Sequence, residues 1–263
     1  MEEIIRNTQV SVWFLTLYKS GLRQFIDNKF NPEIAVNAAV LEKYSLDDFR
    51  QVADKLHENG LIPTIHAPFI DLSPGSSDPE IWKITRYRFE QVLKLVRIFR
   101  PKTVVCHAGY DRKRYDFFRD VWIEKSLEMW AWFGGELRAE GSRLMLENVY
   151  EHGPEDIHPL FENLEAQDVG FCLDMGHQKV FSKTHLETWL ESLGPYLGQV
   201  HLHDNFGKAD DHVGLGKGVI NFQPLFDYVR TEKKRLSAIT LEIHKEGDLW
   251  PSFEYLKKHR PFQ

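Results

Sequence analysis

Histidines and carboxylates recur through this 263-residue sequence at spacings that suit a metal centre. The densest group is Gln199-Val200-His201-Leu202-His203-Asp204-Asn205, an apolar-framed run with β character. Within a dozen residues it is followed by Asp210, His212 and the stretch Gly214-Leu215-Gly216-Lys217-Gly218. Imidazole and carboxylate groups together ligate divalent ions. The same residue types close other short apolar runs: His66 after Thr64-Ile65, His107 after Val104-Val105-Cys106, and Glu147 after Leu144-Met145-Leu146. Asp174 follows Phe171-Cys172-Leu173 with His177 three residues on, and Glu242 follows Ile239-Thr240-Leu241. A lone buried histidine is more often a hydrogen-bonded structural group than a ligand. Here six consecutive runs end alike, and burying an ionised Glu147, Asp174 or Glu242 would cost several kcal/mol without a cation or strong hydrogen bonds.

Such groups converge only if the runs deliver them to one place. The β-like runs are residues 10–16, 34–39, 61–66, 103–107, 143–149, 169–174, 197–203 and 238–243. Between them lie helical patterns. Ser45 and an acidic first turn open one that Asn59-Gly60 closes, and Asp78-Pro79-Glu80 opens another that runs to Phe99 before Pro101. Others span 115–140, 154–165, 183–193, 222–234 and 251–258, while 17–30 has only moderate helical periodicity. This alternation predicts an α/β fold with a parallel sheet: a (β/α)8 TIM barrel, as a single domain over 1–263. An open doubly wound sheet is the alternative, but no GxGxxG follows the first run. In a barrel, functional groups sit at the C-terminal ends of the strands. Side-chain alternation puts His201, His203 and Asn205 on one face and Asp204 on the other, and sets Cys106 opposite His107.

The chain has 42% hydrophobic residues and a formal charge of -6, so nothing global attracts it to nucleic acid, although a local basic loop such as Asp111-Arg112-Lys113-Arg114-Tyr115 could act on phosphate. No leader-like start and no apolar run of spanning length is visible, which leads us to expect a soluble cytoplasmic protein with no membrane partner. Cys106 and Cys172 form no CxxC pair and read as reduced core residues.

The motifs HAPFIDLSPGS (66–76), VVCHAGYD (104–111), LENV (146–149), CLDMGH (172–177), VHLHDN with DDHVGLGKG, and LEIH (241–244) together resemble the xylose-isomerase-like TIM-barrel superfamily over about residues 60–245. That group includes sugar and sugar-phosphate isomerases and epimerases, sugar-acid dehydratases and endonuclease IV. The resemblance implies a metal quartet of Glu147, Asp174, His201 and Glu242. It implies catalysis by Glu147 and Glu242, which pass a proton through a metal-bound enediolate, and substrate contact by His177. From the residues themselves, His203, Lys217 and Phe69 are further candidates for substrate contact, and Trp13, Trp82, Tyr110 and Trp122 for pocket walls.

Endonuclease IV uses a larger set for three zinc ions, and the matching residues are present: His66, His107, Glu147, Asp174, His177, His201, Asp210, His212 and Glu242. Two positions depart from the sugar-epimerase pattern. Gly207 stands where those enzymes carry an arginine, and the loop commonly written GEG reads Gly216-Lys217-Gly218. The expected cofactor is one divalent ion (Mn, Mg, Co or Zn), or up to three Zn if the chain is endonuclease IV-like. The expected partner is a small-molecule sugar, with phosphodiester hydrolysis at abasic sites as the alternative and an oligomer compatible with either.

Overall fold

The computed structural model describes residues 1–259. Eight parallel strands close into a barrel in sequence order: β1 Thr8–Trp13, β2 Asn31–Ala35, β3 Thr64–His66, β4 Thr103–His107, β5 Arg143–Glu147, β6 Gly170–Asp174, β7 Leu197–Leu202 and β8 Ala238–Leu241. The fold is the expected (β/α)8 barrel. Register aligns the chemistry: Ala35 lies beside His66, His107 beside Glu147, and Asp174 beside His201.

Several boundaries differ from those read in the sequence. β3 begins only at Thr64, since Pro63 has no N–H to give the ladder. β2 starts at Asn31 and ends at Ala35, after which Asn37 accepts the N–H of Val40 and starts the helix Ala38–Lys43. β7 and β8 each stop one residue short of His203 and Glu242, although the Glu242 N–H still donates to Leu202 O. Residues 14–28 are helical, with a π turn at Leu17–Gly21 between two α segments. A π turn shifts the apolar phase, which accounts for the moderate periodicity there. The short helix Met175–Phe181, absent from the sequence reading, is capped by Asp174, whose side chain accepts the His177 N–H at 2.6 Å.

The long helices Pro79–Phe99 and Arg119–Ala139 pack on the outside of the strands and bury Phe89, Phe99, Trp130 and Phe133. Cys106 joins this outer core, as alternation predicted, and Cys172 packs inside the barrel with Val105 and Met145. Both cysteines are free. No helix among the described residues is long and apolar enough to cross a membrane.

Candidate metal centre

At the C-terminal mouth the strand ends surround a cavity of about 470 Å³ whose lining includes Trp13, His66, Phe69, His107, Glu147, His177, Asp210, His212, Glu242 and His244. Every metal candidate from the sequence lies at or directly beneath this mouth.

Glu147 is the hub. It is fully buried, with Oε2 3.1 Å from His66 Nε2 and 3.7 Å from His107 Nε2, and Oε1 3.2 Å from His177 Nδ1 and 3.4 Å from His201 Nδ1. Burial would raise its pKa, but the imidazoles around it, His201 foremost, outweigh that and hold the carboxyl well below the usual range. His201 Nδ1 also faces Glu242 Oε1 at 3.3 Å and Asp174 Oδ2 at 4.0 Å. Three of these atoms, Glu147 Oε1, Asp174 Oδ2 and His201 Nδ1, are buried without a hydrogen-bond partner. Carboxylate oxygens turned toward one another and toward an imidazole nitrogen suit a cation between them.

Backbone carbonyls orient three further imidazoles. Nδ1 of His66 lies 3.0 Å from Ala67 O, that of His177 3.0 Å from Asn148 O, and that of His212 3.0 Å from Glu242 O. A carbonyl only accepts, so each Nδ1 carries a hydrogen and each Nε2 is the nitrogen turned inward. Those inward nitrogens face carboxylates: His66 meets Glu147, while His177 and His212 meet Asp210 Oδ2 at 3.3 and 3.0 Å; burial lowers the three pKa values, but these carboxylates outweigh it and raise them, favouring a second proton on each ring. A divalent ion between such a pair would take the place of that proton. Burial pushes His107 down to about 3, leaving it neutral and able to ligate. The ligand atoms fall into adjoining groups, among them His66–His107–Glu147, Glu147–Asp174–His201 and His177–His203–Asp210–His212. A divalent ion fits the residues present.

Other candidates divide. Phe69 stacks on His107, with centroids 4.2 Å apart, and forms a wall with Trp13. His203 Nε2 lies 3.2 Å from Asp174 Oδ1, and its ring stacks on His212. Lys217, a candidate for substrate contact, is paired with Asp248 at 2.5 Å and lies outside the residues lining the cavity. Trp122 is fully buried against Tyr110, and Trp82 donates to Lys125 O on a helix, so neither tryptophan lines the cavity. Arg112, the candidate phosphate contact, is held by Asp156 at 2.9 Å and Glu155 at 2.6 Å.

Asp204 points away from the ligands, as alternation predicted, and organises the glycine loop. Its carboxylate accepts backbone N–H groups from Asn205, Gly216, Gly218 and Ile220 at 2.9–3.1 Å. The sequence reading missed His244, which stacks on His212, and Glu33, which is fully buried beneath His201. Glu33 fell outside the run then drawn from Ile34. The inward alternation Asn31, Glu33, Ala35 was the signal that could have found it.

A closed eight-stranded barrel with carboxylates and imidazoles gathered at its C-terminal mouth is a TIM barrel whose donor set suits a divalent ion. Residues 28–259 match the family model for the xylose isomerase-like TIM barrel, and the chain belongs to that family. Among curated relatives, the uncharacterized protein MJ1311 of Methanocaldococcus jannaschii is 24% identical over 74% of this chain and 69% of its own length. A protein named as endonuclease 4 in Mycoplasma mobile is 23% identical over 77% of this chain and 75% of its own. Among solved structures, the TTHB071 protein from Thermus thermophilus, soaked with ZnCl2, superposes with a TM-score of 0.81 at 25% identity, covering 96% of this chain and 97% of that one. A D-tagatose 3-epimerase-like protein gives a TM-score of 0.81 at 21% identity, covering 95% and 96%.

Proposed function

We propose that this chain is a divalent-metal-dependent isomerase or epimerase acting on a sugar or sugar derivative. The observation that carries the reading is the placement of Glu147 and Glu242 at 3.4 and 3.3 Å from the same nitrogen, His201 Nδ1, at the floor of an aromatic-walled cup. A bound divalent ion would supply Lewis acidity to a sugar's adjacent carbonyl and hydroxyl oxygens. Glu147, Asp174, His201 and Glu242 would hold it. One glutamate would remove the proton from the hydroxyl-bearing carbon next to the carbonyl, and the other would return it. Trp13 and Phe69 offer faces to the apolar side of a sugar ring, and His177 and His203 offer contacts to its hydroxyls.

A second reading, metal-dependent phosphodiester hydrolysis, has its own support. Imidazoles approach both oxygens of Glu147, as suits a carboxylate that bridges two ions, and His177, His203, Asp210 and His212 form a further ligand group. Three divalent ions would outweigh the carboxylates Glu147, Asp174, Asp210 and Glu242 and make the mouth attractive to phosphate. Against this reading, Arg112 and Lys217, the cations nearest that role in the sequence, are already paired with carboxylates. Metal analysis of the purified chain separates the two. One manganese, magnesium or cobalt ion per chain with turnover of ketoses supports the isomerase. Three zinc ions with cleavage of abasic duplex DNA would replace it.

A further inference from the structure

Beneath the mouth, the barrel interior carries a second polar layer. Glu33 on β2 is fully buried there, and three neutral side chains donate to one of its oxygens: Thr64 Oγ1 at 2.9 Å, Gln199 Nε2 at 2.7 Å and Thr240 Oγ1 at 3.0 Å, all to Oε2. Gln199 is itself fixed, since Thr103 Oγ1 donates to its Oε1 at 2.7 Å. Strands β2, β3, β4, β7 and β8 thus all contribute to holding one carboxylate. Three donors on Oε2 immobilise the group and leave Oε1 as the free acceptor, and Oε1 lies 2.9 Å from His201 Nε2. The approach is oblique, a charge contact more than an aligned hydrogen bond. Gln199 Nε2 also lies 3.3 Å from His201 Nε2, but its two hydrogens have acceptors in Glu33 Oε2 and Thr240 Oγ1, so the nearer, charged Oε1 decides the tautomer. A lone pair on Nε2 would face a carboxylate oxygen at 2.9 Å, so that nitrogen keeps its hydrogen and Nδ1 presents its lone pair to the ligand carboxylates above.

We propose that Glu33 is the positioning residue of the metal centre: a carboxylate beneath the barrel mouth that fixes the ring orientation and tautomer of His201 and raises the basicity of its Nδ1 toward a divalent cation. The polar donors on Oε2 hold the carboxylate in that place. Barrel interiors are ordinarily filled by branched apolar side chains, and a lone carboxylate there carries a desolvation cost that a structural role does not need. The inference rests on the metal-dependent reading of Glu147, Asp174, His201 and Glu242, but not on which reaction they perform.

The test is a double-mutant cycle on metal affinity, with Co2+ as the probe. Metal-stripped full chain is titrated with Co2+ by calorimetry and by its visible absorption bands, for wild type, Glu33→Gln, His201→Ala and the double variant. Glu33→Gln should weaken Co2+ binding about 10- to 100-fold and shift the absorption bands, because the ligand field of His201 changes. In the His201→Ala background, Glu33→Gln should weaken binding no further. Thr240→Val, which removes one donor from Oε2, should give a smaller loss in the same direction and serves if Glu33→Gln does not fold. Unchanged affinity and spectrum in Glu33→Gln, or an equal loss in both backgrounds, overturns the role of Glu33 while leaving the metal centre standing. A wild-type chain that takes up no Co2+ overturns both.

Discussion

The rings of His203 and His212 lie face to face, with centroids 3.7 Å apart and planes 6° from parallel. His212 reaches this position with φ at +48°, a left-handed conformation that is costly for a residue with a Cβ. The loop accepts that strain to bring His212 and Asp210 to the cavity at the mouth. For the proposed isomerase, His212→Ala should leave one ion per chain in place and raise KM about tenfold (roughly 1.4 kcal/mol), because the ring that stacks on the substrate-contacting His203 is lost. Elemental analysis with steady-state kinetics checks it. A fall from three ions to two would mark the phosphodiester reading instead.

Replacing either glutamate by glutamine keeps its size and removes its basicity. Glu147→Gln and Glu242→Gln should each lower kcat by about 10²- to 10⁴-fold, the usual contribution of a positioned acid or base. Exchange of the substrate C–H with solvent deuterium should respond differently in the two variants, since each blocks proton transfer on one face. Retained turnover in both would remove the proton-transfer role.

Glu151 gives a pH signature away from the ligand atoms. It is buried, with Oε2 accepting the Val149 N–H at 2.6 Å, and burial raises its pKa from 4.5 to about 7. The folded chain therefore holds this proton more tightly than the unfolded chain does. The associated stability is fully present below pH 4.5 and is lost as pH rises through about 7. At about 1.4 kcal/mol per pKa unit, the loss is roughly 3 kcal/mol. Thermal melts of wild type and Glu151→Gln across that window should diverge, with wild type falling relative to the variant. Parallel curves would contradict the shift.

Asp204 is the main organising group of the glycine loop, with Asp248 and Ser252 accepting the N–H groups of Gly214 and Leu215. A Cβ on Gly218 would stand 2.1 Å from Asn205 O and 2.3 Å from Asp204 Oδ1, so Gly218→Ala must displace the loop. Asp204→Ala leaves four N–H groups without their acceptor. Both variants should lose activity by about tenfold or more while the melting temperature drops only a few degrees, because the loop lies outside the barrel core. Hydrogen exchange over residues 204–220 should report the loosening directly.

How much of this was legible beforehand differs by element. The strand-ending pattern exposed the barrel and its ligands, because a parallel strand buried on both faces leaves a run of apolar residues in which a terminal His, Asp or Glu stands out. The helix Met175–Phe181 and the π turn at Leu17–Gly21 were hidden, being too short or too far out of phase to carry a periodic signal. Lys217 looked like a substrate contact because it sits between two glycines near the ligands, yet its pairing with Asp248 depends on a helix start more than thirty residues further on.

The sequence alone determined which residue types stand at the strand ends, and hence that carboxylates and imidazoles would meet at one mouth, since a parallel barrel brings every C-terminal strand end to the same rim. Tertiary structure decided what those groups do to one another. Which imidazole nitrogen carries a hydrogen follows from carbonyls and carboxylates on neighbouring strands. That Glu33 lies under His201, 168 positions away in the chain, follows from barrel closure and register, which no local pattern encodes.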